Sequence, residues 1–156
     1  MKSDPSLEFE HFSLERDRKL YVDGYVAAYQ ESFPGADLPS AVRIGLAASV
    51  EDMGRPDPTR VAMTAVFAGV PVGFVVVTTG TFYVVPMARI EALYVSPQHR
   101  RKGFARALLD QSSAWAKFNG SRLVRLDVTA SNQAAVALYE SHGYTVTRLQ
   151  MDAVVA

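Results

Sequence analysis

The sequence predicts an α+β fold: one mixed sheet flanked by helices, with the elements in the order β-α-α-β-β-β-α-β-α-β. Three observations carry this. Between Val61 and Val95, β-branched runs follow one another through short turns, as in an antiparallel meander. From Phe104 onward, helical and strand periodicities alternate, so a strand-helix-strand unit should cross over right-handed between parallel strands. Two helical patterns stand before the meander instead of alternating with its strands.

Taken in order, Leu7 to Leu14 sets Leu and Phe against Glu8, Glu10 and Ser13, which predicts a first strand. Asp17 to Phe33 places Leu20, Tyr21, Tyr25, Ala28, Tyr29 and Phe33 at helical spacing and stops at Pro34-Gly35. Leu38 to Met53 spaces Val42, Leu46 and Val50 four apart and ends at Gly54, a second helix. Val61 to Phe67 and Val72 to Thr79 form a hairpin turned by Ala68-Gly69-Val70-Pro71. Phe82 to Val95 continues as strand, with a break expected near Pro86, which has no N–H for a ladder. Phe104, Leu108, Ser112, Trp115 and Phe118 mark the buried side of a helix that stops at Asn119-Gly120. Leu123 to Thr129 reads as strand, Asn132 to Ser141 as a helix closed by Gly143, and Tyr144 to Leu149 as a last strand.

Composition limits the chemistry. At 156 residues the chain is expected to form one domain, residues 1–156, with a real core. The 16 basic and 16 acidic residues cancel, so no global field recruits nucleic acid or an anionic membrane. There is no cysteine, which removes disulfides, thiolate metal sites and a Cys nucleophile together. Three isolated histidines show no metal-ligand spacing, and no metal is expected. The start carries Glu8 and Glu10 where a leader would be apolar, and no run reaches the ~20 apolar residues of a membrane span, so a cytoplasmic protein is expected.

The informative stretch runs from Glu91 to Asp110. An apolar strand passes through Ser96-Pro97 into Arg100-Arg101-Lys102-Gly103 and then directly into a helix. The first N–H groups of a helix lack intrahelical partners and face the positive end of its dipole. Gly103 permits a positive φ and a close backbone approach, and the cations add charge. From these residues alone, any phosphate would fit. From the residues alone, Tyr139 reads as a core aromatic whose hydroxyl reaches water, and Glu91 as a structural partner of Arg89 or of an arginine across the sheet.

Arg100-Arg101-Lys102-Gly103-Phe104-Ala105 resembles the acyl-CoA loop of the GCN5-related N-acetyltransferases (GNAT), whose signature is Gln or Arg, two residues, Gly, one residue, then Gly or Ala. Ile90-Glu-Ala-Leu-Tyr-Val-Ser-Pro97 looks like that family's fourth strand, and Asn132-Gln-Ala-Ala-Val-Ala-Leu-Tyr-Glu-Ser-His-Gly-Tyr144 like its second conserved motif. The resemblance covers nearly the whole chain and implies the GNAT fold, with acetyl-CoA as cosubstrate and direct transfer of its acetyl group to an amine in a ternary complex. It implies that pantetheine pairs with Leu93, Tyr94 and Val95, and that the pyrophosphate is held around Arg100, Arg101, Lys102, Gly103, Phe104 and Ala105. Asn132 would then bind the coenzyme, Tyr139 would protonate the departing thiolate, and a backbone N–H such as that of Leu93 would meet the oxyanion.

By alternation, Glu91 shares a face with Leu93 and Val95; partly buried there, its raised pKa would make it the base. The acceptor would be a small-molecule amine or a peptide or protein amine, with Tyr25, Tyr29, Glu31, Asp37 and Tyr83 as candidate lining residues. The alternative is a non-catalytic acyl-CoA sensor or scaffold of the same fold. Only thirteen residues follow Gly143, so the last strand is expected to be short, absent or exchanged, and a homodimer would cover the exposed edge.

Overall fold

The computed structural model describes residues 6–155. Its elements are β1 (Leu7–His11), α1 (Leu14–Ser32), α2 (Ser40–Asp52), β2 (Arg60–Phe67), β3 (Val70–Phe82), β4 (Val85–Val95), α3 (Phe104–Phe118), β5 (Leu123–Arg125) and α4 (Gln133–Ser141). They build one five-stranded sheet in the order β1-β2-β3-β4-β5. The first four strands pair antiparallel, and β5 joins β4 in parallel after the crossover through α3. The antiparallel meander and the parallel pairing of β4 with β5 are therefore as the sequence predicts.

Two cores lie on opposite faces of this sheet. On one face, α3 buries Leu108 and Leu109 against Val75, Val77, Ala88 and Ile90, with Leu138 and Tyr139 of α4 packed alongside. On the other, α1 and α2 bury Tyr21 and Val50 against Ala62, Phe74 and Val76. Tyr21 stacks on Phe74 with ring centroids 3.8 Å apart. This contact requires a close approach: a Cβ on Gly24 would stand 2.6 Å from the Phe74 ring and 2.9 Å from that of Tyr94. A glycine inside a helix costs ~1 kcal/mol against alanine, and here it brings α1 down onto the sheet.

Three expectations are corrected. Tyr144 to Leu149 is not a strand but irregular chain, with Val146 and Leu149 exposed. The neighbouring β5 is only Leu123–Arg125 instead of Leu123 to Thr129, so a sixth strand has little ladder to join. Instead, the tail is fastened at Arg148, whose guanidinium lies 4.7 Å from the Phe82 ring centroid, beside Arg125 at 4.0 Å. Phe118, read as buried, is 89% exposed. The buried stripe of α3 is Phe104, Leu108, Leu109, Ser112 and Ala116, and Phe118 falls off it in the last turn.

Candidate active site

The site begins where β4 parts from β5. Their ladder consists of Met87↔Leu123, Ala88↔Val124 and Arg89↔Arg125. From Ile90 to Val95, β4 continues without a partner on that side. The cause lies in β4 itself. Its pairing with β3 goes from Val77↔Ile90 to Val76↔Ala92, leaving Glu91 as the extra residue of a β-bulge. A bulge bends its strand and increases the local twist, which turns this edge away from β5.

The bulge also overturns the expected placement of Glu91. Ile90 and Leu93, three residues apart, both pack in the α3-side core, while Ala92 and Tyr94 pack in the α1-side core. Simple alternation therefore fails at Glu91. Its side chain lies on the α1 and α2 face, opposite Leu93 and Val95, and is 40% exposed where partial burial was expected. Glu91 accepts a hydrogen bond from Thr78 Oγ1 at 2.8 Å and lies 3.4 Å from Arg89 Nε. With Tyr25, Asp52, Arg60, Val76 and Thr78 it lines a cavity of about 480 Å³ between the sheet and the two helices.

Beyond β4, a single turn of 3-10 helix (Pro97–His99) leads into the loop. Arg101 has φ +63 and Gly103 has φ +83, two positive values separated by one residue. Among the described residues, the backbone N–H groups of Arg101, Lys102, Gly103, Phe104, Ala105 and Arg106 have no acceptor. Such consecutive donors at a helix start form a concave anion cradle. Phe104 anchors it, being buried and packed 5.2 Å from the Phe67 ring. Arg101 and Lys102 are exposed. Arg100 does not reach into the cradle: its Nε donates to the carbonyl of Val95 at 3.0 Å, and its guanidinium lies 5.9 Å from the Tyr94 ring. The carbonyl of Val95 is thus engaged by the chain itself, and the Ser96 N–H bonded to the Val72 carbonyl sets the ladder so that the Tyr94 backbone is turned to Phe74 of β3, which corrects the expectation for Tyr94 and leaves Leu93 as the freer backbone of this edge.

Across the opening stands α4. Asn132 is its N-cap, accepting through Oδ1 from the N–H of Ala135 at 3.1 Å. Its Nδ2 donates to Glu31 Oε2 of α1 at 3.0 Å. Tyr139 is half-buried, edge-on to Tyr144 with ring centroids 5.9 Å apart. Burial, and after it the carboxylate of Glu31 and the Tyr144 phenol, push the Tyr139 hydroxyl up to about 12. It is therefore protonated throughout the neutral range. Burial also raises Tyr25 to about 12, with the nearby Glu91 carboxylate adding to the effect.

Of the residues expected to line an acceptor pocket, Tyr25 does so and Glu31 reaches the opening. Tyr29 packs on Phe33 at 5.0 Å, Asp37 is exposed in the loop after α1, and Tyr83 is 85% exposed in the turn before β4. Sequence reasoning missed Asp52, Arg60 and Thr78, which are polar residues with no motif around them.

A parted strand edge and a run of unaccepted N–H groups at a helix start can hold an extended ligand with an anionic group, and Tyr139 of α4 adds a protonated phenol. Comparison with known proteins bears on the class of this site. The profile of the Acetyltransferase (GNAT) family matches residues 20–144, and the chain belongs to that family. An aminoglycoside N(6')-acetyltransferase type 1 from Acinetobacter genomosp. 13 is 36% identical over 62 residues, 40% of this chain and 42% of that protein. The ribosomal protein bS18-alanine N-acetyltransferase of Escherichia coli (strain K12) is 39% identical over 64 residues, 41% of this chain and 43% of that protein. The match thus spans less than half the length of these curated relatives. A putative acetyl transferase from Pyrococcus furiosus superposes with a TM-score of 0.75 at 22% identity, covering 96% of this chain and 100% of that one. An aminoglycoside N-acetyltransferase solved in complex with CoA gives a TM-score of 0.71 at 18% identity, covering 99% and 98%. At these identities the superpositions speak for the fold.

Proposed function

We propose that this chain is an acetyl-CoA-dependent N-acetyltransferase, acting as one domain over residues 1–156 and transferring acetyl directly to an acceptor amine in a ternary complex. The observation that carries it is the juxtaposition of the unaccepted N–H groups of Arg101 to Arg106 with the unpaired edge of β4 and the protonated Tyr139. The residues suit acetyl-CoA. The cradle takes the pyrophosphate, the edge at Leu93 and the Val95 N–H pairs with the pantetheine amides, and Asn132 offers a side-chain amide beside them.

Each chemical role follows from the chain's own groups. A phenol that keeps its proton through neutral pH can donate it as the C–S bond breaks, which makes Tyr139 the general acid. The amine must be neutral to attack. Glu91, exposed at the bulge and lining the cavity, takes the proton directly or through water. A backbone N–H at Leu93 supplies the oxyanion donor.

The acceptor is a primary amine of a small molecule or a protein. This reading is supported by the two curated relatives, whose names specify an aminoglycoside and an alanine of a ribosomal protein. No helix among the described residues is long and apolar enough to cross a membrane, which is compatible with work in the cytoplasm. A homodimer that covers the edge of β5 completes the reading, and sedimentation as a monomer would remove that part. The decisive assay is release of free CoA thiol from acetyl-CoA with kanamycin and with an alanine-headed peptide. Acceptor-dependent release is expected. Tight acetyl-CoA binding with no release across a broad amine panel would favour a sensor instead.

A further inference from the structure

The helices α1 and α4 belong to opposite faces of the sheet, one packed with Tyr21 and Phe74, the other with Leu108 and Leu109. A single described hydrogen bond joins them: Asn132 Nδ2 to Glu31 Oε2 at 3.0 Å, between residues 101 positions apart in the chain. It spans the opening where β4 has left β5. Glu31 is half-buried there, and among the described residues no cation pairs with it. By contrast, Glu91 has Arg89 and Asp52 has both Arg55 and Arg60.

An uncompensated carboxylate at this place has an ordinary role and an awkward one. The ordinary role is to face the positive N-terminal end of α4, where Asn132 is the cap. The awkward one concerns Tyr139. The negative charge of Glu31 holds the Tyr139 proton more tightly, and it would also oppose negative charge developing on a departing sulfur. A cation placed against Glu31 removes both effects at once.

We propose that Glu31, reaching from the end of α1 to Asn132 across the β4/β5 opening, is the anionic group that engages the acceptor as a cation beside Tyr139. The acceptor class is therefore an amine that arrives as its ammonium ion, or that carries a second positive group next to the reacting one. Glu31 binds and positions; the proton is left to Glu91. A second positive group on the acceptor, still charged when the reacting amine has given up its proton, screens the carboxylate and makes the Tyr139 hydroxyl a readier donor, which ties acid strength to occupancy. This rests on the acetyltransferase reading above.

The test is Glu31→Gln, which keeps an oxygen to accept from Asn132 and removes only the charge. With kanamycin and the alanine-headed peptide, KM for the acceptor should rise about 10- to 100-fold. In the same variant, kcat should stay within about 3-fold, and acetyl-CoA affinity and Tm should be unchanged. Glu91→Gln should show the opposite split, with kcat falling and KM steady. In Glu31→Gln without acceptor, the Tyr139 phenol, identified by its loss in Tyr139→Phe, should ionise at lower pH than in the wild type. An acceptor KM within 2-fold of wild type in Glu31→Gln, or an unmoved phenol titration, overturns the assignment of Glu31. Absence of thiol release by the wild type with any amine is a separate result, which sinks the acetyltransferase reading and this inference with it.

Discussion

The two sides of the site are built by different means. The cradle at the start of α3 is made of main chain, and its geometry comes from two positive φ values and a helix start within one short run of sequence. The cavity proposed for the acceptor is lined by side chains from α1, α2, β2, β3 and β4, which meet only because α1 packs down at Gly24 and β4 bulges at Glu91. A site for a common handle can rest on backbone because every substrate presents the same phosphates. A site for a particular acceptor has to be assembled from side chains, where one substitution changes its charge or size.

That contrast can be broken at several points. The largest effect is expected at Tyr139, the proposed general acid. Tyr139→Phe should lower kcat by about 10²- to 10⁴-fold while the acetyl-CoA Kd, measured by calorimetry, stays within about 2-fold. An equal loss of coenzyme affinity would mean that Tyr139 belongs to the binding side.

Next comes the cradle. Valine at Gly103 would need φ near +83, which β-branched residues strongly avoid, and the donors would be turned out of place. Gly103→Val should weaken acetyl-CoA binding about 30-fold or more. Arg101→Ala, which removes one exposed charge, should cost about 5-fold at most in calorimetry. The reverse ranking would show that side chains and not backbone hold the phosphates.

Gly24→Ala tests the other side. Its new methyl would meet the Phe74 and Tyr94 rings below 3 Å, so urea unfolding should show a loss of about 1–3 kcal/mol. Because α1 carries Tyr25 and Glu31, acceptor KM should rise in this variant while acetyl-CoA affinity holds.

The smallest effect is alkaline. Tyr25 and Tyr139 are both raised from 10.0 to about 12 in the folded protein, so above pH 10 the unfolded chain loses these protons first. The stability they contribute is full below pH 10 and is lost as pH climbs toward about 12. Denaturant midpoints should fall over that window, and less steeply in Tyr25→Phe. The rate with saturating acceptor should show no alkaline loss from Tyr139 between pH 8 and 10.

How much of this was legible follows the same division. The loop from Arg100 to Ala105 is contiguous, and a glycine at a helix start after a strand leaves a local signature, so its cradle could be read directly. Asn132 and Tyr139 were found by motif, yet Asn132 has a double duty as cap and as partner of Glu31, and no motif contains Glu31. The face of Glu91 was misread because period-two alternation assumes an unbroken ladder, and nothing in Ile-Glu-Ala-Leu-Tyr announces an extra residue. The tail was misread for a related reason: Tyr144 to Leu149 has strand-forming residues, but strand formation needs an edge, and β5 supplies only three residues of one.

What the sequence determined by itself is therefore what depends on near neighbours: helices from periodicity, the meander from its turns, the anion cradle from Gly103 and the helix behind it. Tertiary structure decided the rest: the parting of β4 from β5, the side to which Glu91 points, and the meeting of Glu31 with Asn132 across 101 residues. The physical reason is that a bulge or a bridge between helices is settled by packing over the whole sheet. Local propensity changes by little on either side of such a choice, whereas the cores beneath it differ by entire side chains.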